Sequence, residues 1–197
     1  MKITEDLIIA SNNKHKVVEI KQILGDFFKN IYTLSDKNIN VEIEENGSTF
    51  EENALIKAKY ICELTGITTL SDDSGLEVEA LGGAPGVYSA RYAGEPSDSN
   101  KNNQKLLAEM KNIQNRNANF TSVIAICYPD GKTITAKGAT YGKILTQAEG
   151  NNGFGYDPLF FSNDLQKSFG IATAQEKNAI SHRGRALQKM KEILSKQ

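Results

Sequence analysis

The spacing of hydrophobic positions changes repeatedly along the chain, and each change predicts a new element. A continuous apolar run at residues 7–10 predicts a buried strand, and apolar side chains at helical spacing over residues 17–24 predict a helix after it. Ser11 or Asn12 is expected to cap this helix. Further short strands are predicted at residues 31–34, 41–43, 66–70 and 76–80.

A second helix carries a clear start signal. Ser48 and Thr49 precede Glu51 and Glu52 with the spacing of a capping box, which predicts a helix that ends near Leu64. The apolar face expected for this helix comprises Phe50, Ala54, Leu55, Ala58, Ile61 and Cys62.

Helices and strands alternate through the rest of the chain around one hairpin. Pro-Asp-Gly at residues 129–131 predicts that hairpin, between strands at 120–128 and 133–141. The other predicted elements are a helix from Ser97 or Asp98 and a helical tail from Ala174 with a break near residues 181–184. This alternation favours one α/β domain over residues 1–197, with a mixed sheet flanked by helices.

The composition is that of an ordinary globular protein. With 197 residues, 24% of them charged, and a net charge of −1, the chain has no basic excess of the kind that drives non-specific nucleic-acid binding. No apolar stretch approaches the ~20 residues of a membrane-spanning helix, and the two acids within the first six residues argue against a signal peptide. Cys62 and Cys127 lack metal-ligand spacing and are expected to be small buried hydrophobes, which fits a reducing compartment. We therefore expect a soluble, cytoplasmic protein without nucleic-acid or membrane partners.

Two adjacent carboxylates dominate the candidate chemistry. Asp72 and Asp73 follow the predicted strand at 66–70 and lead through Ser74 to a glycine-rich loop at 82–86. Like charges near a protein interior repel each other, and Mg²⁺ held by one or two carboxylates and by substrate phosphates would relieve that repulsion. The alternative is a solvated Asp-Asp-Ser-Gly turn, since these residues are ordinary turn formers.

The turn after the first predicted strand has the character of an anion site. It comprises Ser11, Asn12, Asn13, Lys14, His15 and Lys16. A helix N-terminus presents free N–H groups and the positive end of the helix dipole, to which Ser11 and Asn13 can add hydrogen bonds and Lys16 an ammonium group. The alternative is an Asn-capped surface helix with solvated lysines.

A second acidic cluster precedes and opens the helix near residue 50. Glu45 or Glu52 could complete a metal site with Asp73, and Lys57 could serve as an ion-pair partner or a phosphate ligand. The alternative for Glu52 is helix capping and interaction with the helix dipole, which needs no metal.

Two clusters near the end of the chain suit a planar base. Phe154 lies between glycines, and an aromatic face left uncovered in this way favours stacking. Asp157 precedes a proline, which fixes its backbone direction. Lys177, His182 and Arg183 form a further cluster, in which Arg183 offers a planar set of donors suited to carbonyl oxygens or phosphate. The alternatives are a loop aromatic folded onto the core and a helix–helix joint with solvated cations.

Six motifs in sequence order strengthen these interpretations. They are Ser-x-Asn-x-x-Lys (11–16), Glu-x-Gly-x-Thr-Phe-x-Glu-Asn-Ala (45–54), Asp-Asp-Ser-Gly-Leu (72–76), Gly-Gly-Ala-Pro-Gly-x-Tyr-Ser-Ala-Arg (82–91), Gly-Phe-Gly-Tyr-Asp-Pro (153–158) and Ser-His-Arg-Gly (181–184). From Ile8 to about Leu187 the chain strongly resembles the inosine/xanthosine triphosphate pyrophosphatase family.

The resemblance implies a fold and a reaction. It implies a homodimeric, elongated α/β protein of two lobes with the active site in the cleft between them. The implied reaction hydrolyses a non-canonical purine nucleoside triphosphate (ITP, dITP or XTP) to the monophosphate and pyrophosphate, with Mg²⁺ as the cofactor.

The resemblance also implies roles for individual residues. Asp73 would activate water, and Glu45 and Asp73 would be carboxylate ligands of the metal. The implied substrate-binding residues are Ser11, Asn12, Asn13, Lys14, His15, Lys16, Ser74, Phe154, Gly155, Tyr156, Asp157, Lys177, His182 and Arg183. Further candidates are Glu52, Lys57 and Asp72.

Two other functions remain open at this point. A Maf-like nucleotide pyrophosphatase would share the architecture but act on other bases, and the Phe-Gly-Tyr-Asp and Ser-His-Arg motifs count against it. A catalytically silent nucleotide- or RNA-binding protein is disfavoured by the near-zero net charge and the retained acidic pair.

Overall fold

The computed structural model describes residues 5–196, with the side chain of His15 outside the described part. Residues 1–4, on which the signal-peptide expectation partly rests, also lie outside it. The strands are Leu7–Ile9 (β1), Ile31–Thr33 (β2), Thr68–Val78 (β3), Asn117–Cys127 (β4), Thr133–Ile144 (β5), Phe160–Ser162 (β6) and Lys167–Ser168 (β7). The α-helices are Lys14–Leu24 (α1), Phe50–Thr65 (α2), Ser99–Glu109 (α3), Ala174–Ile180 (α4) and His182–Leu194 (α5).

All seven strands belong to one mixed sheet in the order β2-β1-β3-β4-β5-β6-β7. The sheet is parallel at one end, where Leu7 of β1 is in register with Ile31 of β2 and Thr68 of β3. It is antiparallel at the other end, where β6 pairs with both β5 and β7. The prediction of an α/β fold with a mixed sheet is confirmed.

The described chain divides into two compact units. The first comprises the residues up to Asp73, Ser122–Gly138 and those from Arg183 onward, and the second comprises Ser74–Thr121 and Ala139–His182. The core of the first is Leu7, Ile9, Ile20, Leu24, Phe28, Leu70, Ile124, Ile126, Ala136, Ala186, Leu187, Met190 and Leu194. The core of the second is Leu76, Val78, Leu106, Met110, Ala118, Phe120, Ile144, Tyr156, Leu159, Phe160 and Phe169. The single-domain assignment of residues 1–197 stays a prediction.

Helix α2 starts at the predicted capping box. Thr49 Oγ1 accepts from the Glu52 backbone N–H at 3.1 Å, and the Glu52 carboxylate accepts from the Thr49 N–H at 3.2 Å. The helix ends at Gly66, whose φ of 67° is the left-handed conformation that glycine tolerates. The predicted apolar face is buried except for Leu55, which is half-buried.

The alternative interpretation of the acidic pair as a solvated turn is wrong. Ser71-Asp72-Asp73-Ser74-Gly75 lies inside the single strand β3, which joins the two short strands predicted at 66–70 and 76–80. Turn formation by Asp, Ser and Gly is a local preference, and pairing within the sheet overrides it.

Two smaller predictions also need correction. Residues 41–43 form no strand. Val41 and Ile43 pack on the cluster around Ile8, but they do not pair with β2, whose partner in the described sheet is β1. In α1 it is the side chain of Asn13, rather than Ser11 or Asn12, that accepts from a first-turn N–H, that of Lys16 at 3.3 Å.

The remaining predicted elements are confirmed. The hairpin turn between β4 and β5 closes with a bond from Tyr128 N–H to the Lys132 carbonyl at 2.9 Å. Asp98 caps α3, and the helical tail breaks at Ser181, whose ψ of 147° is extended. None of the helices in residues 5–196 combines the length and the hydropathy that crossing a bilayer requires.

Candidate active site

Strand β3 separates the two adjacent aspartates by side-chain direction. Successive residues of a strand point to opposite faces of the sheet, so Asp72 and Asp73 face different surroundings. The side chain of Asp72 is 1% exposed and that of Asp73 is 15% exposed. Both are held by cations within the first unit.

Asp72 is neutralised by two cations, one on each carboxylate oxygen. Lys16 Nζ lies 2.7 Å from Oδ1, and Arg183 Nε donates to Oδ2 at 2.9 Å. Burial alone would raise the pKa of Asp72, but the charges of Lys16 and Arg183 outweigh it and hold the pKa well below its usual value. Arg183 also reaches Glu19, with Nη1 3.4 Å from Oε2.

Asp73 shares a single cation with Glu45. Lys57 Nζ lies 3.3 Å from Asp73 Oδ1 and 2.9 Å from Glu45 Oε2. Burial raises the pKa of Asp73, the charge of Glu45 adds to that rise, and Lys57 opposes it only in part. Burial would lower the pKa of Lys57, but the two carboxylates outweigh it, so the ammonium form is favoured. The charge of the Asp73 carboxylate is therefore less well compensated by cations than that of Asp72.

The donor set around Asp73 fits a magnesium ion bound together with phosphate. Asp73 Oδ2 is buried and has no hydrogen-bond partner within residues 5–196, which leaves an acceptor for a cation. No group of three or more His, Cys, Asp or Glu side chains forms a metal-binding cluster in that range. Mg²⁺ needs only one or two carboxylates when phosphate oxygens complete its shell. Glu52 is occupied by helix capping, with Oε2 accepting from the Ser48 backbone at 2.6 Å.

The turn at residues 11–16 leads from β1 directly into α1 of the same unit. Ser11 Oγ accepts from the Asn13 N–H at 3.2 Å, and Asn12, Asn13 and Lys14 are exposed. Lys16 bends inward to Asp72 and is 20% exposed. The side chain of His15 lies outside the described part. An exposed helix N-terminus next to a lysine is thus present as the sequence predicts.

In the second unit, Asp157 is the anchor of the Gly153–Asp157 loop. It is 2% exposed, and its Oδ2 accepts from the Phe154 N–H at 2.8 Å and from Lys177 Nζ at 2.5 Å. Gly153 has a φ of 76°, and a Cβ there would lie 2.1 Å from Asp157 Oδ2. Only glycine therefore permits this close approach of backbone and carboxylate.

Phe154 presents an open aromatic ring at the tip of this loop. The side chain is 67% exposed, and Lys177 Nζ lies 4.4 Å from the ring centroid. One residue therefore provides a stacking surface, and the neighbouring ammonium provides a donor.

The side chains of two predicted substrate residues of this unit, Tyr156 and His182, are buried. The Tyr156 ring is buried in the core, and its hydroxyl donates to the Ser89 carbonyl at 2.7 Å. His182 is 8% exposed and stacks on Phe120, with ring centroids 5.2 Å apart. Ser74 is half-buried on β3. The Gly155 carbonyl accepts from Asn103 at 3.0 Å. For Tyr156, a contact with substrate through its side chain would require the ring to leave the core.

Three residues that contact candidate site residues were not predicted from the sequence. Asn103 of α3 bonds to Gly155, Glu19 of α1 bonds to Arg183, and Phe120 of β4 stacks on His182. Glu19 and Asn103 lie on helices, where polar residues are common. Phe120 has the apolar character expected of any strand residue. No spacing signal could have singled them out.

Comparisons with known proteins agree over nearly the whole chain. Residues 7–193 match the family model of the Ham1 family. The chain is 53% identical over 195 residues to a dITP/XTP pyrophosphatase of Clostridium perfringens, covering 95% of this chain and 96% of the relative. It is 46% identical to a dITP/XTP pyrophosphatase of Desulforamulus reducens, covering 96% of each.

Solved structures show the same fold. The Staphylococcus aureus Ham1 protein aligns with a TM-score of 0.92 at 40% identity, over 98% of this chain and 99% of that one. A HAM1 protein from Coxiella burnetii aligns with a TM-score of 0.92 at 38% identity, over 98% and 100%.

Proposed function

The chain belongs to the Ham1 family, and on that premise we propose that it hydrolyses non-canonical purine nucleoside triphosphates to the monophosphate and pyrophosphate. ITP, dITP and XTP are the proposed substrates, and Mg²⁺ is the proposed cofactor. The observation that carries the proposal is the half-buried Asp73 carboxylate, which has Oδ1 on Lys57 and a buried Oδ2 without a hydrogen-bond partner in the described structure. The similarity over nearly the whole chain to dITP/XTP pyrophosphatases supports the same reaction.

Asp73 is the proposed general base. It accepts the proton of a water whose oxygen bonds to the α-phosphorus, while the bond from that phosphorus to the bridging oxygen breaks and pyrophosphate leaves. The raised pKa of Asp73 supports this role, because a more basic carboxylate takes a proton more readily. The charge of Lys57, 3.3 Å away, favours the ionised form of the carboxylate.

The other charged residues of the first unit position and neutralise the triphosphate. Ser11, Asn12, Asn13, Lys14, His15 and Lys16 are the proposed phosphate-binding turn, with Lys57 as a further contact. Glu45 and Asp73 would hold Mg²⁺, which when bound supplies positive charge to the phosphate oxygens. Charge neutralisation and alignment are the main requirements of phosphoryl-transfer catalysis.

Phe154 is the proposed stacking platform for the base. Lys177, His182 and Arg183 are the proposed donors toward a 6-keto oxygen, with Asp157 holding Lys177 in place. Adenine carries an amino group at that position, which is a donor, so the donors of the protein would find no acceptor there. Such a mismatch of buried polar groups discriminates strongly between two substrates. The proposed substrate contacts also include Ser74, Gly155 and Tyr156, which would act through their backbone or by supporting the Gly153–Asp157 loop.

We also propose a homodimer in the cytoplasm. Both assignments rest on the family resemblance, and two observations support them. The second unit exposes large apolar side chains, with Tyr88 58% and Ile171 50% accessible, and Cys62 and Cys127 are free thiols. Light scattering on the purified protein measures the oligomeric state.

One assay tests the proposed function. Purified protein is incubated with ITP, XTP, dITP, ATP, GTP and dUTP, with and without Mg²⁺, and pyrophosphate and phosphate are measured separately. We expect Mg²⁺-dependent pyrophosphate release from ITP, dITP and XTP. Preference for a pyrimidine nucleotide would support the Maf-like alternative, and binding without hydrolysis would support a silent nucleotide-binding protein.

A further inference from the structure

Asp72 joins two cations that the proposed function assigns to different parts of the substrate. Lys16, proposed for the phosphates, lies on Oδ1 at 2.7 Å, and Arg183, proposed for the base, lies on Oδ2 at 2.9 Å. The Asp72 side chain is 1% exposed, against 20% for Lys16 and 11% for Arg183. Each oxygen of this buried carboxylate is therefore committed to one cation.

The contact with Asp72 fixes the direction of the Arg183 side chain. Nε donates to Asp72 at 2.9 Å, and the longer contact from Nη1 to Glu19 spans 3.4 Å. A guanidinium is a rigid planar fork, so a bond at Nε and another at Nη1 determine the plane of the whole group. Of its five N–H donors, these bonds use two.

The charges around Arg183 balance without a metal ion. Lys16 and Arg183 contribute two positive charges, and Asp72 and Glu19 contribute two negative charges. In contrast to Asp73, both oxygens of Asp72 already have a cationic partner. A metal bound to Asp72 would have to displace one of those cations.

We propose that Asp72 is a positioning residue for base selection, which acts through Arg183 and neither binds the metal nor accepts the proton. The inference rests on the proposed function, in which Arg183 donates to the base. Its readout is the selectivity ratio, defined as kcat/KM for ITP divided by kcat/KM for ATP. A purely structural residue would lower both values together and leave the ratio unchanged.

Asp72→Asn keeps the shape of the side chain but removes its charge. We expect the selectivity ratio to fall at least tenfold, mainly through a higher KM for ITP. Asp72→Glu keeps the charge and moves the carboxylate by one methylene, so it serves as a second variant that is better placed to fold. We expect it to lower the ratio in the same direction. Asp130→Asn, an exposed aspartate of the hairpin turn, is the matched control and should keep the wild-type ratio.

A double-mutant cycle shows whether Asp72 acts through Arg183. The selectivity ratio is measured for the wild type, Asp72→Asn, Arg183→Gln and the double variant, with folding checked by circular dichroism. If Asp72 acts through Arg183, the double variant should match Arg183→Gln within about twofold, because coupled residues are not additive.

Three outcomes would overturn the inference. They are a folded Asp72 variant with the wild-type ratio, equal losses for ITP and ATP, and independent effects that multiply in the double variant. If the wild type releases no pyrophosphate from ITP, dITP or XTP, the proposed function fails instead. If the wild type is active and selective and the Asp72 variants are equally selective, only the positioning role is lost.

Discussion

Asp72 and Asp73 are consecutive residues of β3, yet their surroundings shift their pKa values in opposite directions. Asp72 is compensated by Lys16 and Arg183, whereas Asp73 shares Lys57 with Glu45. A strand makes this possible because neighbouring side chains point to opposite faces. The charge of one carboxylate is therefore compensated in the folded chain, whereas that of the other, the proposed general base, is compensated only in part.

The two aspartates should differ in their effect on stability at pH 7. Asp72→Asn should lower the free energy of unfolding by ~3–5 kcal/mol, because it breaks buried ion pairs by removing one partner. Asp73→Asn should leave the free energy of unfolding unchanged or raise it, because a raised pKa means that the ionised form is less favourable in the folded chain than in the unfolded chain. Urea unfolding of both variants measures the difference, and equal losses would contradict it.

The same contrast predicts the response to acid. Because the folded pKa of Asp72 is below its unfolded value, its stabilisation is present above about pH 4 and is lost as the pH falls through the folded pKa. Wild-type protein should therefore lose more stability than Asp72→Asn as the pH is lowered below about 4. Urea midpoints over a pH series test this, and parallel curves would argue against it.

Asp73→Asn should abolish most turnover while keeping the fold. We expect kcat for ITP to fall at least ~100-fold, the scale of a lost general base. Steady-state kinetics at saturating Mg²⁺ measure the effect, with circular dichroism as the control for folding. Near-normal turnover would remove Asp73 from the mechanism.

Gly153→Ala should disrupt the Gly153–Asp157 loop, which is proposed to bind the base, more than Gly155→Ala. Both residues have positive φ, but a Cβ at Gly153 would lie 2.1 Å from Asp157 Oδ2, whereas a Cβ at Gly155 has nothing within 4 Å. Gly155→Ala is the matched control and should carry only backbone strain, of order 1 kcal/mol. KM for ITP and the melting temperature of the two variants measure the difference, and equal effects would show that the contact with Asp157 is unimportant.

Phe154→Ala should mainly weaken substrate binding. Loss of a stacking contact worth ~1–3 kcal/mol predicts a clear rise in KM for ITP with little change in kcat. Tyr141→Ala provides a control, because Tyr141 is 61% exposed in the same unit but lies outside the proposed site. An unchanged KM in Phe154→Ala would argue against stacking.

Cys62 and Cys127 should resist alkylation in the folded protein. Both are buried, and burial raises the pKa of Cys62 to about 12, so its thiol stays protonated at pH 8. Iodoacetamide labelling at pH 8 followed by mass spectrometry should show both thiols unmodified until urea is added. Rapid labelling of Cys62 in the folded state would contradict this burial.

Local signals predicted the elements whose geometry is set by a few neighbouring residues. The capping box at Thr49 and Glu52, the Asp98 cap and the Pro-Asp-Gly turn each satisfy backbone groups within their own segment. The failures needed distant partners. β3 runs through Asp72 and Asp73 because adjacent strands pair with it. Residues 41–43 pack on the cluster around Ile8 but do not pair with β2, which is an edge strand of the described sheet.

The candidate site was predictable as a set of residues but not as a set of contacts. Asp157 and Tyr156 were expected to face a substrate, whereas their polar atoms bind Lys177, the loop backbone and Ser89. Asn103, on a helix remote in sequence, supports the same loop. Motif spacing along the chain identifies candidate site residues. Only the packed structure shows which of their polar atoms are already hydrogen-bonded within the protein.

The shared carboxylate of Asp72 has a consequence for redesign of the substrate range. Replacing Arg183 with a neutral residue, the obvious route to a different base, would leave Asp72 buried with Lys16 as its remaining cation. Asp72 would then hold Lys16 more tightly, so a substitution in the proposed base contacts would also change the proposed phosphate contacts. Positions 72 and 183 should therefore be varied as a pair in any library that aims at new specificity.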